Sequence, residues 1–399
     1  MKKLLILLSC LLMLLADNLC SAQVTLGVER LGEPAVQRLL AQKRVGLFTN
    51  QSGVDSKLTS SVELVKRNAA LQAIFVPEHG LFGAVAAGDE VKSHDYAGIP
   101  VISLYGDTRR PTREMLEKID AMLVDIQDVG IRHYTYFSSL AYIMEECAKH
   151  NKEVVILDRP NPLGGAMEGP VLKKEYATFV GLYPLPLRHG LTIGEFARFI
   201  NKTQKINCKL EVVTMQGWKR SMLWQDTGLP WVMTSPQIPT AETALLYGVT
   251  GVIGDSTLSV GIGTTKPFAF VGAPFAEAQK VKAALDALEI SGVAFRAASF
   301  TPRYGEYAGE LVQGVEVYVL DAHRVNLAEL QYKIYLALQK LYPEQVQAQK
   351  REYADGYKTD ILLGESSLRE CADEKETFAR WQKECADFAK EAQPYLLYK

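Results

Sequence analysis

Short apolar runs alternate with helically spaced apolar positions through the first half of the chain. Arg44 to Asn50 reads as a strand and Thr59 to Asn68 as a helix. Ala73 to Val76 and Pro100 to Tyr105 are two further strands. Pro111 to Lys118 reads as a helix; its opening proline costs nothing, because the first helical amide has no partner within the helix. Ala121 to Ile126 is a fourth strand, Phe137 to His150 a helix, and Glu153 to Leu157 a fifth strand. Strands buried on both faces read as unbroken apolar runs. Such strands alternating with helices predict a parallel sheet with helices on both sides.

The pattern weakens from about Asn161 to Thr265, where Gly, Pro and aromatic residues are frequent and one helix is expected at Thr192 to Asn201. Long irregular stretches inside a compact chain usually shape a site. From Ala276 the pattern resumes with a helix to Leu288, strands at Val293 to Phe300 and Val315 to Leu320, and a helix at Leu327 to Tyr342. The tail from Leu362 to Phe388 is expected to be mostly helical. The expected fold is α/β: a Rossmann-like parallel-sheet domain over 23–260, and a second, smaller α+β auxiliary domain over 261–399. The boundary falls between about 240 and 280.

Residues 1–22 read as a signal peptide. Lys2 and Lys3 precede an apolar run from Leu4, and Cys20-Ser21-Ala22 offers small residues for cleavage before Gln23. The run is shorter than the roughly 20 residues of a membrane span. The expected location is the periplasm. The alternative is a lipid anchor at Cys10, after Leu7-Leu8-Ser9. Removal of the leader leaves 377 of the 399 residues, enough for two domains. Hydrophobic residues at 48% and charged residues at 23% are ordinary for a globular chain with a sizeable core. Lys and Arg number 44 against 46 Asp and Glu, for a net charge of −2, which lacks the basic excess of nucleic-acid-binding proteins. The cysteines beyond the leader are Cys147, Cys208, Cys371 and Cys385; no CxxC pair supports a zinc site. Cys371 and Cys385 are near enough in sequence to bridge, and the sequence leaves their state open.

In an open parallel sheet, ligands bind beyond the carboxyl ends of the strands. All five expected strands end in polar residues, and four of the five ends carry a carboxylate. Glu78, between Pro77 and His79-Gly80, is the leading general-acid candidate. Asp125 and Asp128 are candidates for the second carboxylate of a glycosidase pair. Asp125 also suits a structural role bonded to loop amides. Asn50, His79, Gln127, Arg132, Tyr136 and Arg159 are expected to contact substrate. Guanidinium groups bind carboxylates in bidentate fashion, so Arg132, Arg159 and Arg188 point to an acidic small molecule. Tyr134, Tyr183, Trp218, Trp224 and Trp231 are candidate faces for sugar rings. His79, His133 and His189 show no HxH or HExxH spacing, so no metal is expected. No GxSxG elbow supports a serine nucleophile. Thr49-Asn50-Gln51-Ser52-Gly53 replaces a glycine-rich phosphate loop, so neither a dinucleotide nor another cofactor is expected.

Several long segments together resemble the bacterial exo-β-N-acetylmuramidases, a family of peptidoglycan glycoside hydrolases formerly known as a domain of unknown function. They include Val45 to Gly53, Pro77 to Gly83, Leu104-Tyr105-Gly106, Asp125 to Tyr136 and Leu157 to Gly165. Glu168-Gly169-Pro170, Arg188-His189-Gly190, Gly228 to Trp231 and Ser235 to Thr240 follow in the same order. The resemblance covers about residues 25 to 345. It implies a Rossmann-like domain, an auxiliary domain and a cleft between them. It also implies release of N-acetylmuramic acid from the non-reducing end of cell-wall fragments, with Glu78 as catalytic acid/base. Arg159, Asn161, Glu168 and His189 match motif positions expected to line the cleft. The lactyl carboxylate of muramic acid would give an arginine its partner. One departure stands out. Many members carry Glu-Gly-Arg-Gly-Thr-Thr where this chain has Val260 to Thr265, which bears on the preferred glycan size or attached peptide.

Stabilisation of the oxocarbenium-like centre falls to Asp125, Asp128 or the substrate's own 2-acetamido group. The rival function is a non-catalytic periplasmic protein that binds muropeptides or sugars in the same cleft. An esterase or deacetylase is a third reading, for which the sequence shows no metal site or nucleophile.

Overall fold

The computed structural model describes residues 23–351 and 356–399. The leader at 1–22 and the anchor alternative at Cys10 lie outside these residues. The first unit runs α1 (Pro34–Leu40), β1 (Arg44–Thr49), α2 (Ser61–Asn68), β2 (Ala70–Val76), β3 (His94–Tyr96) and β4 (Ile99–Ser103). It continues with α3 (Arg113–Glu117), β5 (Ala121–Asp125), α4 (Tyr136–Lys149), β6 (Glu153–Leu157), α5 (Ile193–Thr203) and β7 (Lys209–Val213). These strands form one sheet in the order β3-β4-β2-β1-β5-β6-β7, parallel except for β3. The chain builds outward from β1 to β2 and β4, then returns to β5 and builds the other way. The switch point therefore lies between β1 and β5.

Successive side chains on a strand point to opposite faces, and the core divides accordingly. Phe48, Phe75, Val124 and Ile156 enter one apolar cluster with α4 and α5. Leu47, Ile74, Leu123 and Val155 enter a second with Val24, Leu26, Leu40 and Trp218. Two strands escape the apolar pattern because they lie at the sheet edges. β3 is exposed throughout, and β7 is fully buried only at Val213, with Leu210 and Val212 half-buried. Edge strands carry polar residues that discourage pairing with other chains.

The second unit comprises α6 (Ala241–Thr250), β8 (Phe270–Ala273), α7 (Ala278–Asp286), β9 (Val293–Phe300), β10 (Val312–Val319), α8 (Leu327–Leu341), α9 (Lys358–Leu363) and α10 (Glu374–Ala392). Its antiparallel sheet has the order β8-β10-β9. α6 packs on α8. It lies in the stretch read as irregular, and its Thr243, Gly248 and Thr250 are weak helix formers. Burial and a Thr240 cap, which accepts from the Thr243 amide, compensate. The expected helical tail is interrupted at Gly364, which takes the left-handed conformation at the end of α9. Cys371 is exposed and Cys385 buried, and all four cysteines in the described residues are free thiols.

Arg132 fastens the two units together. Its Nη1 donates to the carbonyls of Pro170 and Leu185, both at 2.7 Å. Its Nη2 donates to Leu362 at 3.0 Å and also to Leu363. Arg132, expected to contact substrate, here commits its terminal nitrogens to backbone carbonyls. Burial pushes its pKa down to about 9, partly offset by the charge of Glu365. Arg132→Met keeps the bulk and leaves four carbonyls short of a donor. The expected loss is roughly 3 kcal/mol in urea denaturation, with faster proteolysis near Leu362.

Candidate active site

The turn after β2 places Glu78 in a cavity of about 250 Å³. Pro77 fixes the backbone as it leaves the strand. His79 and Gly80 then both take positive φ, at 73° and 74°. A histidine in that region is strained by about 1–3 kcal/mol and is held there by its surroundings. Its Nδ1 lies 2.8 Å from the Val85 carbonyl, which ties the turn to the following loop. The Glu78 carboxyl is oriented by two neutral donors, the Gly88 amide at 2.9 Å and the Thr135 hydroxyl at 2.8 Å.

The other walls come from both units. Tyr105, beyond β4, stands beside Glu78; burial and then the Glu78 charge push its pKa up to about 12. Thr135, His133 and Tyr134 follow β5, while Tyr247 comes from α6 and Leu362 from α9. The His133 Nδ1 lies 2.5 Å from the Tyr247 hydroxyl. Burial pushes the His133 pKa down to about 3, with Arg132 adding to the effect, so the ring is neutral at ordinary pH. The Tyr134 hydroxyl is buried beside Thr234, Ser235 and Tyr136 and makes no well-formed hydrogen bond among the described residues. Ser235, Gln237, Ile262 and Phe268 complete much of the lining. Ile262 occupies the departing segment noted above, so the wall there is apolar.

Of the expected site residues, Glu78 and His79 line this cavity. The others build the layer beneath and beside it. Asp125 is fully buried, and Arg159 donates to its two oxygens at 2.6 and 2.9 Å. Arg159 also donates to the Val54 carbonyl at 2.6 Å. In this closed pair Asp125 and Arg159 spend their charges on each other, and neither lines the cavity. Asp128 accepts from the Gly130 amide at 2.6 Å and faces His189 Nε2 at 3.3 Å. Its other oxygen is buried without a partner among the described residues, and Asp128 does not line the cavity. Asn50 donates to the Tyr136 hydroxyl at 2.7 Å, and that hydroxyl donates to the Thr234 carbonyl at 2.7 Å. Gln127 donates to the carbonyls of Asp128 and Pro160 at 2.8 Å. Asn161 donates to the Leu191 carbonyl at 2.9 Å. Glu168 pairs with Arg188 at 2.6 Å and accepts from the Leu327 amide at 2.7 Å. His189 accepts from the Leu191 amide at 3.2 Å. These residues bind one another and nearby backbone, which stiffens the strand ends beneath the cavity.

Sequence reasoning did not place Tyr247, Phe268, Val180 or Leu362 at the site. They lie on unpredicted or distant elements, and no local signal marks them. Tyr105, His133, Ser235 and Gln237 sit within the motif segments, so the segments held a signal that single-residue chemistry did not resolve. Among the described residues, Glu78 is the one carboxylate lining the cavity, and no cluster of three or more His, Cys, Asp or Glu is arranged to hold a metal.

His133 makes stability depend on pH. The unfolded chain takes up its proton near pH 6.5, whereas the folded ring resists it until about pH 3. Folding is therefore weakened as pH falls below 6.5. In urea denaturation, the stability of the wild type relative to His133→Gln should drop by about 2 kcal/mol between pH 7 and pH 5.

The sequence models described as "Exo-beta-N-acetylmuramidase NamZ, N-terminal" and "C-terminal" match residues 45–242 and 245–398. The peptidoglycan β-N-acetylmuramidase NamZ of Bacillus subtilis (strain 168) is 42% identical over 374 residues, covering 92% of this chain and 89% of that protein. A DUF1343 family protein of Bacteroides fragilis NCTC 9343 has a crystal structure with TM-score 0.86 and 39% identity, covering 94% of this chain and 99% of that one. A second crystal structure from the same family and strain has TM-score 0.73 and 26% identity, covering 95% and 99%.

Proposed function

The chain belongs to the exo-β-N-acetylmuramidase NamZ family and is a glycoside hydrolase; from that premise we propose that it releases N-acetylmuramic acid from the non-reducing end of peptidoglycan fragments, with Glu78 as general acid/base. The observation that carries the assignment is that Glu78 alone among the described cavity-lining residues is a carboxylate, and that no cation pairs with it. A volume of about 250 Å³ admits one sugar residue better than a run of them, which supports attack at a chain end. The proposal includes export by residues 1–22 to the compartment that holds the polymer, with a lipid anchor at Cys10 as the alternative.

Glu78 gives its proton to the glycosidic oxygen as the bond from C1 to that oxygen breaks. With Asp125 and Asp128 outside the cavity lining, the substrate's 2-acetamido carbonyl is the favoured group to close on C1 from the opposite face. Glu78, now ionised, then takes a proton from the water that reopens the ring. Neutral His133 and the Tyr134 side chain line the wall on which the acetamido group would rest, and neither carries a charge that would compete with the developing cation.

Hydrolysis of para-nitrophenyl N-acetyl-β-muramic acid tests both parts. Glu78→Gln should lower kcat by about 10²–10⁴-fold, and full activity in that variant would remove Glu78 from the mechanism. Replacing the N-acetyl group by N-trifluoroacetyl weakens the carbonyl as a nucleophile. A marked fall in kcat is expected, and an unchanged kcat would exclude acetamido assistance.

A further inference from the structure

The three arginines expected to recognise an acidic substrate are engaged elsewhere. Arg132 binds backbone carbonyls, Arg159 holds Asp125, and Arg188 holds Glu168. A muramic acid unit nevertheless carries a carboxylate on its C3 substituent, and a carboxylate bound in a partly desolvated recess needs a cation. A second recess of about 300 Å³ adjoins the cavity and shares Tyr105, Val180 and Leu362 with it. The charged groups on its walls are Arg109, Arg351, Lys358 and Asp255, an excess of two positive charges.

Arg109 is the cation best placed at the junction. Its guanidinium carbon lies 4.3 Å from the centroid of the Phe179 ring and 5.0 Å from that of Tyr105. Stacking on two aromatic faces limits its rotamers while leaving its N–H edge available. Within the described residues it forms no salt bridge, whereas its neighbour Arg110 is bound to both Glu145 and Glu146. Tyr105 is the shared wall and adjoins both Glu78 and Arg109. Lys358 is half-buried and spends one contact on Gln349, at 3.3 Å.

Resting on the function proposed above, we infer that this second recess is an anion subsite for the carboxylate on the C3 substituent of the terminal sugar, with Arg109 as its principal donor. Two sources supply that chemistry: the lactyl carboxylate itself, or a carboxylate of an attached peptide stem. An arginine fork fits either in bidentate fashion. Arg109 is thus a specificity residue. It separates muramic acid from N-acetylglucosamine, which lacks the lactyl ether.

Calorimetric titration of the full chain reads the subsite without turnover. Three probes are used: N-acetylmuramic acid, N-acetylglucosamine, and N-acetylmuramic acid carrying L-alanyl-D-isoglutamine. Arg109→Ala should reduce the preference for N-acetylmuramic acid over N-acetylglucosamine about tenfold, and Arg109→Lys should restore part of it. That result assigns the lactyl carboxylate. A loss confined to the peptide-bearing probe assigns the stem carboxylate instead. If neither acidic probe depends on Arg109, or neither binds, the proposal is overturned. Arg109 is exposed, so circular dichroism should show an unchanged fold in the variant. Failure of the parent reading looks different: the wild type would leave the para-nitrophenyl substrate intact, while the titrations would still report on Arg109.

Discussion

A carboxylate buried at the end of a parallel strand needs a partner, and the pairing of these groups decides what this protein can do. Asp125 ends β5 in the middle of the sheet, and only the Arg159 guanidinium from the end of β6 makes its charge tolerable there. Asp158, one strand over, accepts from Thr192, Gly194 and Tyr398, and burial still raises its pKa to about 6. Glu168 is held by Arg188 and by the first amide of α8. Each of these carboxylates is spent on joining elements. Glu78 differs because it faces a cavity, with its two neutral donors leaving it without a paired cation among the described residues.

The same rule explains which parts of the molecule could be read from sequence. Central strands such as β5 and β6 bury both faces, so their apolar runs announce them. β3 and β7 lie at edges and carry polar positions, while α6 is built partly from threonine and glycine. Their formation depends on neighbours that are distant in sequence. The polar strand ends were legible as a group, and Glu78 was legible because Pro77 and His79-Gly80 announce a turn. The division between floor and cavity was not legible. Nothing local in Asp125-Ile126-Gln127-Asp128 reveals that Arg159 lies opposite the first residue, or that Gly130 and His189 occupy the last. Arg132 misled for the same reason: an arginine in a polar loop looks available until the carbonyls of Leu362 and Leu363 close on it from more than two hundred positions away.

Neither unit contains the cavity alone. The parallel sheet brings Glu78, Thr135 and His133, and the second unit brings Tyr247, Phe268 and Leu362. The hydrogen bond between His133 and Tyr247 spans that division inside the cavity wall, and Arg132, the residue before His133, spans it from behind. Docking of the units and assembly of the site are therefore a single event. An apolar cluster that runs without interruption from Phe75 to Val315 and Leu338 supplies the adhesion.

This arrangement also constrains how an acidic sugar is recognised. A cation on the cavity floor would lie near the anomeric carbon, where positive charge develops during bond cleavage, and would raise the barrier it should lower. The floor cations are neutralised by Asp125 and Glu168 within the protein, and His133 is kept uncharged by burial. Positive charge is concentrated instead beyond Tyr105, around Arg109 and Lys358. On the proposed reading, recognition and chemistry make opposite electrostatic demands on one small substrate, and Tyr105 is where they meet, because both the Glu78 carboxylate and the Arg109 guanidinium adjoin it while the floor cations are paired within the protein.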